Sequence, residues 1–231
     1  MPIDRRRLLR LAAAGAFSGF ANGRALADDG LFPLRADDGK PVANFRVPSD
    51  IPIDGLPGLV MAGASQPDVV LTEFFDYNCP FCRAAVGSID ALLDEDRGLR
   101  LVLVNNPILS RGSRAAAQVQ QAVLRVGGPG QAYVFHKAAL EHRGVMDGLA
   151  AIAVAANLGF NREVLAKSAE LPQVANALLQ QAESAKELGF ETTPSFVLGS
   201  TAIAGYPGPK SLRAAIAATR SCDHPVCGKR S

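Results

Sequence analysis

The chain has 231 residues, of which 48% are hydrophobic and 20% are charged, and its formal net charge is +2. Residues 1–27 hold five of the 24 basic residues and one of the 22 acidic residues, so the rest of the chain carries a net charge of −2. A nearly neutral chain without a basic block lacks the electrostatic footprint of a protein that binds nucleic acid or an anionic membrane.

The first 27 residues have the three parts of an export signal. Arginines lie at residues 5–7 and at Arg10, an apolar run follows at residues 11–21, and a small-residue cleavage pattern ends at Ala27. The run is too short to span a bilayer, and its Gly and Ala content disfavours the alternative of a buried helix. Residues 4–10 resemble the twin-arginine export consensus. We therefore predict twin-arginine export to the periplasm and cleavage after Ala27.

Six prolines interrupt residues 28–67, where no helical or alternating pattern lasts more than a few positions. This pattern predicts an irregular, partly flexible N-terminal extension. A β-branched and apolar run at residues 69–75 then predicts a strand buried on both faces. A helix is predicted from Pro80 to about Asp94, and residues 99–104 predict a second strand. Strand, helix and strand in this order predict a right-handed parallel βαβ unit.

Cys79 and Cys82 lie at the junction between the first strand and the helix. A helix N-terminus favours a thiolate, so Cys79 is the predicted nucleophile. Cys82 follows one helical turn later, close enough to form a disulfide with Cys79, as thiol–disulfide exchange requires. The alternative is half of a zinc site, but the second pair, Cys222 and Cys227, begins 140 residues after Cys82, unlike the short spacing of zinc ribbons.

From residue 110 to about residue 190 the chain is rich in Ala, Gln, Leu and Val at helical spacing, with breaks that contain glycine or proline. This segment predicts a lobe of about four helices. Strand character returns at residues 195–198, and residues 201–204 predict the second half of a hairpin. Pro209 begins a last helix that runs to about Thr219. The order predicts an α/β chain with a thioredoxin-like fold and an inserted all-helical lobe.

Residues 221–231 are a predicted tail that contains the second cysteine pair. An even number of cysteines in an exported protein is most simply explained by two disulfides. Cys222 and Cys227 can close a small ring across a turn, so we predict a structural disulfide. The alternatives are an auxiliary redox relay and a soft-metal site that uses His224.

Residues 73–82 read Glu-Phe-Phe-Asp-Tyr-Asn-Cys-Pro-Phe-Cys and lead from the predicted strand into the redox helix. A helical insertion follows the second strand, and Thr-Thr-Pro-Ser-Phe at residues 192–196 begins the third. Together these features resemble the DsbA-like family of exported thiol–disulfide oxidoreductases, and the resemblance covers residues 68–220. It implies a protein disulfide oxidoreductase and leaves open whether the enzyme is an oxidase, a reductase or an isomerase.

The resemblance also implies roles for residues near the cysteines. The peptide bond before Pro194 is expected to be cis, with Pro194 facing the reactive disulfide. Thr193 and Pro194 are expected to bind the backbone of the substrate, together with Pro80 and Phe81. DsbA itself has a histidine at the position of Phe81. Because phenylalanine cannot stabilise a thiolate as histidine does, we expect a weaker oxidant.

Glu73 lies six residues before Cys79, in the strand expected to run beneath the two cysteines. A partly buried carboxyl group has a raised pKa, which suits a group that takes the proton of Cys82. In thioredoxin-like proteins a buried acid at this spacing has this role. The alternative is a glutamate at a strand edge that faces solvent.

These features predict a periplasmic enzyme that exchanges disulfides with unfolded or partly folded exported proteins and that a membrane redox partner resets. The extension is too broken by proline to form a helical oligomerisation stalk, so we expect a monomer. No cofactor, metal or nucleic acid is expected, and His136 and His142 are predicted to be ordinary polar positions. The alternative function is a protein or chaperone that binds copper or another thiophilic metal through the same cysteines.

Overall fold

Six strands and six helices make up the part of the chain that the computed structural model describes, namely residues 30–48, 51 and 53–227. The strands are β1 (Asn44–Arg46), β2 (Val60–Gly63), β3 (Val69–Phe75), β4 (Leu99–Asn105), β5 (Ser195–Leu198) and β6 (Thr201–Ala204). The helices are α1 (Pro80–Glu95), α2 (Arg111–Glu141), α3 (Gly148–Asn157), α4 (Arg162–Ala169), α5 (Pro172–Glu187) and α6 (Pro209–Cys222).

The predicted export signal and its cleavage site at Ala27 lie outside the described residues. None of the six described helices combines the length and the apolar character that a membrane span requires.

The strands form one mixed sheet in the order β1-β6-β5-β3-β4-β2. β3 and β4 are parallel, and every other neighbouring pair is antiparallel. Because α1 joins β3 to β4, the predicted parallel βαβ unit is confirmed. β3 is buried on both faces, as its apolar run predicts: Leu71 and Phe75 pack on the side of α1, and Phe74 packs on the other side.

Four helices, α2 to α5, lie between β4 and β5, which confirms the predicted insertion. Three of them have an N-cap residue whose side chain accepts a hydrogen bond from a backbone N–H of the first turn. These N-cap residues are Ser110 for α2, Asp147 for α3 and Asn161 for α4. Residues 127–130 read Gly-Gly-Pro-Gly, one of the predicted breaks that contain glycine and proline, and they form a kink within α2. It occurs there because Gly128 has a φ of 78° and the following proline has no backbone N–H.

Two strands lie in the segment that the proline pattern predicts to be irregular. β1 pairs with β6 and β2 pairs with β4, so this segment supplies both edges of the sheet. Its apolar side chains also cover the face of the sheet that contains Phe74; they include Phe45, Val47, Leu56 and Leu59. The predicted irregular extension is therefore wrong for these residues. The strands have only three and four residues and distant partners, so local periodicity gives little signal.

The same segment supports the loop before α6. The carboxylate of Asp37 accepts hydrogen bonds from the N–H and the hydroxyl of Ser211 (both 2.7 Å), in the first turn of α6. The N–H of Asp37 donates to the carbonyl of Pro207 (2.8 Å), and the N–H of Gly205 donates to the carbonyl of Pro194 (3.0 Å). The N-terminal segment thus holds the loop that contacts Pro194.

Candidate active site

The turn before α1 places Cys79 at the helix N-terminus. Cys79 is the N-cap residue, and its N–H donates to the carbonyl of Asp76 (3.0 Å). The buried carboxylate of Asp76 accepts hydrogen bonds from the N–H groups of Asn78 (2.8 Å) and Leu109 (2.9 Å). Pro80 takes the first helical position, where an N–H would have no partner within the helix. Backbone and side-chain contacts therefore fix the turn.

Both thiols of this turn are free and buried. Cys79 is 3% exposed, and its sulfur lies 2.9 Å from the carbonyl oxygen of Thr193, to which the protonated thiol donates a hydrogen bond. The peptide bond between Thr193 and Pro194 is cis, in agreement with the expectation. Cys82 is completely buried, so Cys79 is the sulfur that a partner meets first.

The two thiols differ strongly in acidity. The neighbouring Cys82 thiol is the main cause that lowers the pKa of Cys79 to about 5. Burial acts in the opposite direction, and the side chain of Thr193 and the backbone N–H groups of Cys82 and Phe81 lower the pKa further. Burial raises the pKa of Cys82 far above its usual range, and its hydrogen bond to Cys79 adds to this effect. At neutral pH Cys79 is a thiolate and Cys82 a thiol.

Glu73 lies on β3 and is 1% exposed, which excludes the alternative of a solvent-facing strand edge. Burial, and then the charge of Cys79, raise the pKa of Glu73 to about 8. The charge of Glu73 in turn raises the pKa of Cys82, so the carboxyl group lies within electrostatic range of both sulfur atoms. Among the described residues its Oε1 atom has no hydrogen-bond partner. Such a group can hold or accept a proton near neutral pH.

Aromatic rings pack beneath the turn. The ring of His136 lies edge-on to Phe75, with 4.5 Å between centroids, and 5.8 Å from Tyr77. Burial lowers the pKa of His136 to about 3, so the ring is neutral. The prediction of an ordinary polar position is wrong for His136, because the ring is buried between α2 and β3. His142 accepts a hydrogen bond through its backbone carbonyl.

Asn78 and Arg83 join the turn at residues 76–79, here called the redox turn, to the helical lobe. Sequence analysis did not identify either residue as functional. The side chain of Asn78 accepts a hydrogen bond from the N–H of Met146 and donates one to its carbonyl (both 2.8 Å). The guanidinium of Arg83 donates to the carbonyls of Tyr77 and Gly144 (both 3.0 Å). Because every residue has a carbonyl, such contacts leave no recognisable motif.

Pro80 and Phe81 lie on the surface beside Cys79. The side chain of Phe81 is 60% exposed. An exposed aromatic ring next to a reactive sulfur offers a large apolar area to a partner chain. The structure therefore brings together around Cys79 all the predicted substrate-binding residues, namely Pro80, Phe81, Thr193 and Pro194.

Cys222 and Cys227 form a disulfide at the end of α6, with 6.0 Å between their Cα atoms. Arg220, two residues earlier, donates to the carboxylate of Asp96 (2.9 Å), which caps the C-terminus of α1. Because α1 has 16 residues and a helix rises by about 1.5 Å per residue, the C-terminal end of α1 that Arg220 contacts lies about 24 Å from Cys79. This separation argues against an intramolecular relay between the two pairs.

The chain is similar to known proteins in both sequence and structure. The sequence model of the thioredoxin family matches residues 57–218. A thioredoxin-like oxidoreductase from Silicibacter pomeroyi DSS-3 is 33% identical and has a TM-score of 0.67, over 72% of this chain and 94% of that chain. No curated protein gives a significant match.

Two more distant structures share the fold. The thiol-disulfide exchange protein alpha-DsbA2 from Wolbachia pipientis is 22% identical, with a TM-score of 0.64 over 69% of this chain and 86% of that chain. A periplasmic thioredoxin-like protein from Salmonella enterica serovar Typhimurium is 18% identical, with a TM-score of 0.61 over 73% and 94% of the two chains. This chain therefore belongs to the thioredoxin family, as an oxidoreductase with the DsbA-like fold.

Proposed function

We propose that the protein exchanges disulfides with unfolded or partly folded exported proteins through Cys79 and Cys82. One observation carries this function: the sulfur of Cys79, with a pKa of about 5, lies beside the Cys82 thiol and 2.9 Å from the carbonyl of Thr193. A low pKa keeps the nucleophile ionised at neutral pH, and the neighbouring thiol completes a two-electron exchange.

In the reductive direction, the Cys79 thiolate attacks one sulfur of a client disulfide. A bond forms between Cys79 and this sulfur, the client disulfide breaks, and the second client sulfur leaves as a thiolate that takes a proton from water. Cys82 then passes its proton to Glu73 and attacks Cys79, which releases the first client sulfur. The protein ends with a Cys79–Cys82 disulfide, and the client has gained two electrons. The reverse sequence oxidises a client.

The charges of Glu73 and Cys79 are coupled in a way that suits this order of steps. While Cys79 is a thiolate, its charge helps to keep Glu73 protonated. Formation of the mixed disulfide removes that charge, so the pKa of Glu73 falls and its carboxylate becomes available to Cys82. Glu73 thus becomes a base at the step that needs one.

Thr193 and Pro194 bind the client backbone in this proposal, beside Pro80 and Phe81. Their position supports the assignment, because the Thr193 carbonyl lies within hydrogen-bond distance of Cys79. A client sulfur bonded to Cys79 would therefore bring the neighbouring client backbone against this loop. The exposed ring of Phe81, two residues after Cys79, would offer the client a further apolar contact.

We also propose that the protein acts in the periplasm as a monomer that a membrane redox partner resets, after twin-arginine export and cleavage following Ala27. The support is the arginine pattern of residues 4–10 and the similarity to a periplasmic thioredoxin-like protein. Changing Arg5 and Arg6 to Lys keeps the charge but removes the guanidinium groups. Precursor should then accumulate in the cytoplasm, whereas normal processing would indicate the general secretory route.

The decisive experiment compares the two cysteines of the redox turn. Cys82→Ser should accumulate mixed disulfides with exported proteins on non-reducing gels, because the resolving thiol is missing. Cys79→Ser should accumulate none and should be inactive. The double variant Cys222→Ser, Cys227→Ser keeps the redox turn and is the matched control. Equal trapping by Cys79→Ser and Cys82→Ser would overturn the assignment of nucleophile and resolving thiol.

A further inference from the structure

Asn106, the first residue after β4, is hydrogen-bonded to both chain segments that meet at Cys79. It is buried, and its N–H donates to the carbonyl of Phe75 (2.8 Å) at the end of β3. Its side-chain amide donates to the carbonyl of Phe190 (3.2 Å), three residues before Thr193. Asn106 therefore joins the strand that leads into the redox turn to the loop that carries the Thr193 carbonyl.

The pairing between β3 and β5 ends before it reaches either the redox turn or this loop. Phe74 and Ser195 are the last pair in its register. Beyond this pair, one chain segment continues into the redox turn and the other comes from residues 190–194, which include the proposed client-binding residues of the loop. The separation of the loop from the redox turn therefore depends on side-chain contacts beyond the sheet.

Two side-chain contacts bridge this separation. The thiol of Cys79 can donate to the carbonyl of Thr193, with 2.9 Å between sulfur and oxygen, and the amide of Asn106 donates to Phe190. The first contact is lost whenever Cys79 ionises or bonds to a client sulfur, because the donated proton is then absent. The contact of Asn106 is independent of the state of Cys79, so it can hold the loop throughout an exchange.

Buried amide groups fix the end of β4 from which Asn106 extends. The N–H of Asn105 donates to the side-chain oxygen of Gln181 (2.7 Å), and the side-chain amide of Asn105 donates to the same oxygen (3.0 Å). The side-chain nitrogen of Gln181 in turn donates to the carbonyl of Pro57 (2.7 Å). Both amide residues are buried. A side chain can position a loop precisely only when its own support is fixed in this way.

We propose that Asn106 is a positioning residue that holds the loop of Thr193 and Pro194 at its distance from Cys79, so that the client backbone is aligned with the reacting sulfur. The proposal rests on the function proposed for Cys79 and deepens it by assigning the position of the loop to one side chain. Without the Asn106 amide, the buried carbonyl of Phe190 loses its donor and the loop shifts to find another partner. Weaker binding of the client backbone raises KM and leaves kcat almost unchanged.

Two disulfide substrates separate this role from a general structural one. One is a disulfide peptide with several residues on each side of its reactive cysteine, and the other is hydroxyethyl disulfide, which has no peptide backbone. Asn106→Leu has a side chain of similar size without a donor, and Asn106→Ser has a side chain too short to reach Phe190. In both variants KM for the peptide should rise about fivefold, because one hydrogen bond corresponds to a factor of roughly two to ten in affinity. The kcat for the peptide and the kcat/KM for hydroxyethyl disulfide should stay unchanged.

Gln121→Met is the matched control. Gln121 is as buried as Asn106, but its amide donates to the carbonyl of Gly58 (2.7 Å) in the N-terminal segment. This variant should lose stability and keep the KM of wild type.

A wild-type KM in Asn106→Leu and Asn106→Ser would overturn the role of Asn106 alone, and so would an equal rise of KM in Gln121→Met. An equal loss with hydroxyethyl disulfide would also overturn it, because the defect would then lie in the reactivity of Cys79 and not in the alignment of the client. No reaction of wild type with either disulfide would overturn the proposed function itself, and the role of Asn106 with it.

Discussion

The chain contains two cysteine pairs of similar spacing whose surroundings give them opposite properties. Cys79 begins α1, where the helix N-terminus and the Cys82 thiol stabilise a thiolate, and both sulfurs are free. Cys222 ends α6, where the negative end of the helix dipole disfavours a thiolate, and its sulfur is bonded to Cys227. The end of the helix at which each pair lies, more than the number of residues between its cysteines, explains why the first pair is reactive and the second forms a disulfide.

A buried acid is the second difference between the pairs. Glu73 lies in β3 beneath the first pair, and burial raises its pKa to about 8. The acid beside the second pair, Asp223, is exposed to solvent. The first pair therefore has a nucleophile, a resolving thiol and a base in one place, and the second pair lacks a buried base of this kind within the described residues.

Replacing Glu73 by Gln should have the largest effect on exchange at the first pair. The amide cannot take the proton of Cys82, so resolution of the mixed disulfide should slow by roughly a hundredfold. Attack by Cys79 should continue, and rapid quenching followed by mass spectrometry measures the two steps separately. Glu95→Gln alters an exposed glutamate at the other end of α1 and is the control. If Glu73→Gln resolves as fast as wild type, the acid has no part in the reaction.

Glu73 should also make the stability of the reduced protein depend on pH. Its pKa is 4.5 in the unfolded chain and about 8 in the folded protein. Below pH 4.5 both states are protonated, and between pH 4.5 and 8 the unfolded state releases its proton first. The free energy of unfolding should therefore fall by up to about 1.4 kcal/mol per pH unit in this window. Urea unfolding at pH 5 and pH 7 should show this slope in wild type relative to Glu73→Gln, and parallel curves would contradict it.

The elements that carry the first pair could be predicted closely from the sequence. The strand at residues 69–75 agrees with its apolar run, and α1 begins at Pro80 as predicted. Both signals are local, since they depend on β-branched residues and on a proline at the first helical position. α6 continues beyond the predicted Thr219 to Cys222, because polar residues extend the helix without adding to the apolar repeat.

Features that depend on distant partners could not be predicted in this way. β1 and β2 are short edge strands whose hydrogen bonds come from β6 and β4, and Asp37 caps α6 from far along the chain. The low pKa of Cys79 could likewise be predicted only in part. The sequence indicates the helix N-terminus as its cause, whereas the main cause is the side chain of Cys82, and the side chain of Thr193 contributes. Such contacts depend on tertiary geometry and leave no periodic pattern.

The side chain at position 81 should influence the pKa of Cys79 and the reduction potential of the first pair. Its side chain is exposed, and only its backbone N–H contributes to the low pKa of Cys79. In Phe81→His a side-chain partner for the thiolate is added, so the pKa of Cys79 should fall below about 5 and the reduced form should gain stability. The reduction potential should rise by tens of millivolts, since about 30 mV corresponds to 1.4 kcal/mol.

Thiolate absorbance measures the pKa of Cys79 in this variant, and equilibration with glutathione measures the potential. Phe81→Leu keeps an apolar side chain and is the control. An unchanged potential in Phe81→His would show that this position does not set the oxidising power, and the expectation of a weak oxidant would lose its basis.

The second pair should matter least for exchange. Replacing Cys222 and Cys227 by Ala should leave turnover unchanged, because their disulfide follows Arg220, which contacts the end of α1 about 24 Å from Cys79. Opening so small a ring destabilises the fold by roughly 2 kcal/mol through the entropy of the unfolded chain. The melting temperature should therefore fall by roughly 4–8 °C for a domain of this size. Calorimetry and an exchange assay on one sample separate the two effects, and lost exchange at an unchanged melting temperature would instead assign the tail pair to electron transfer.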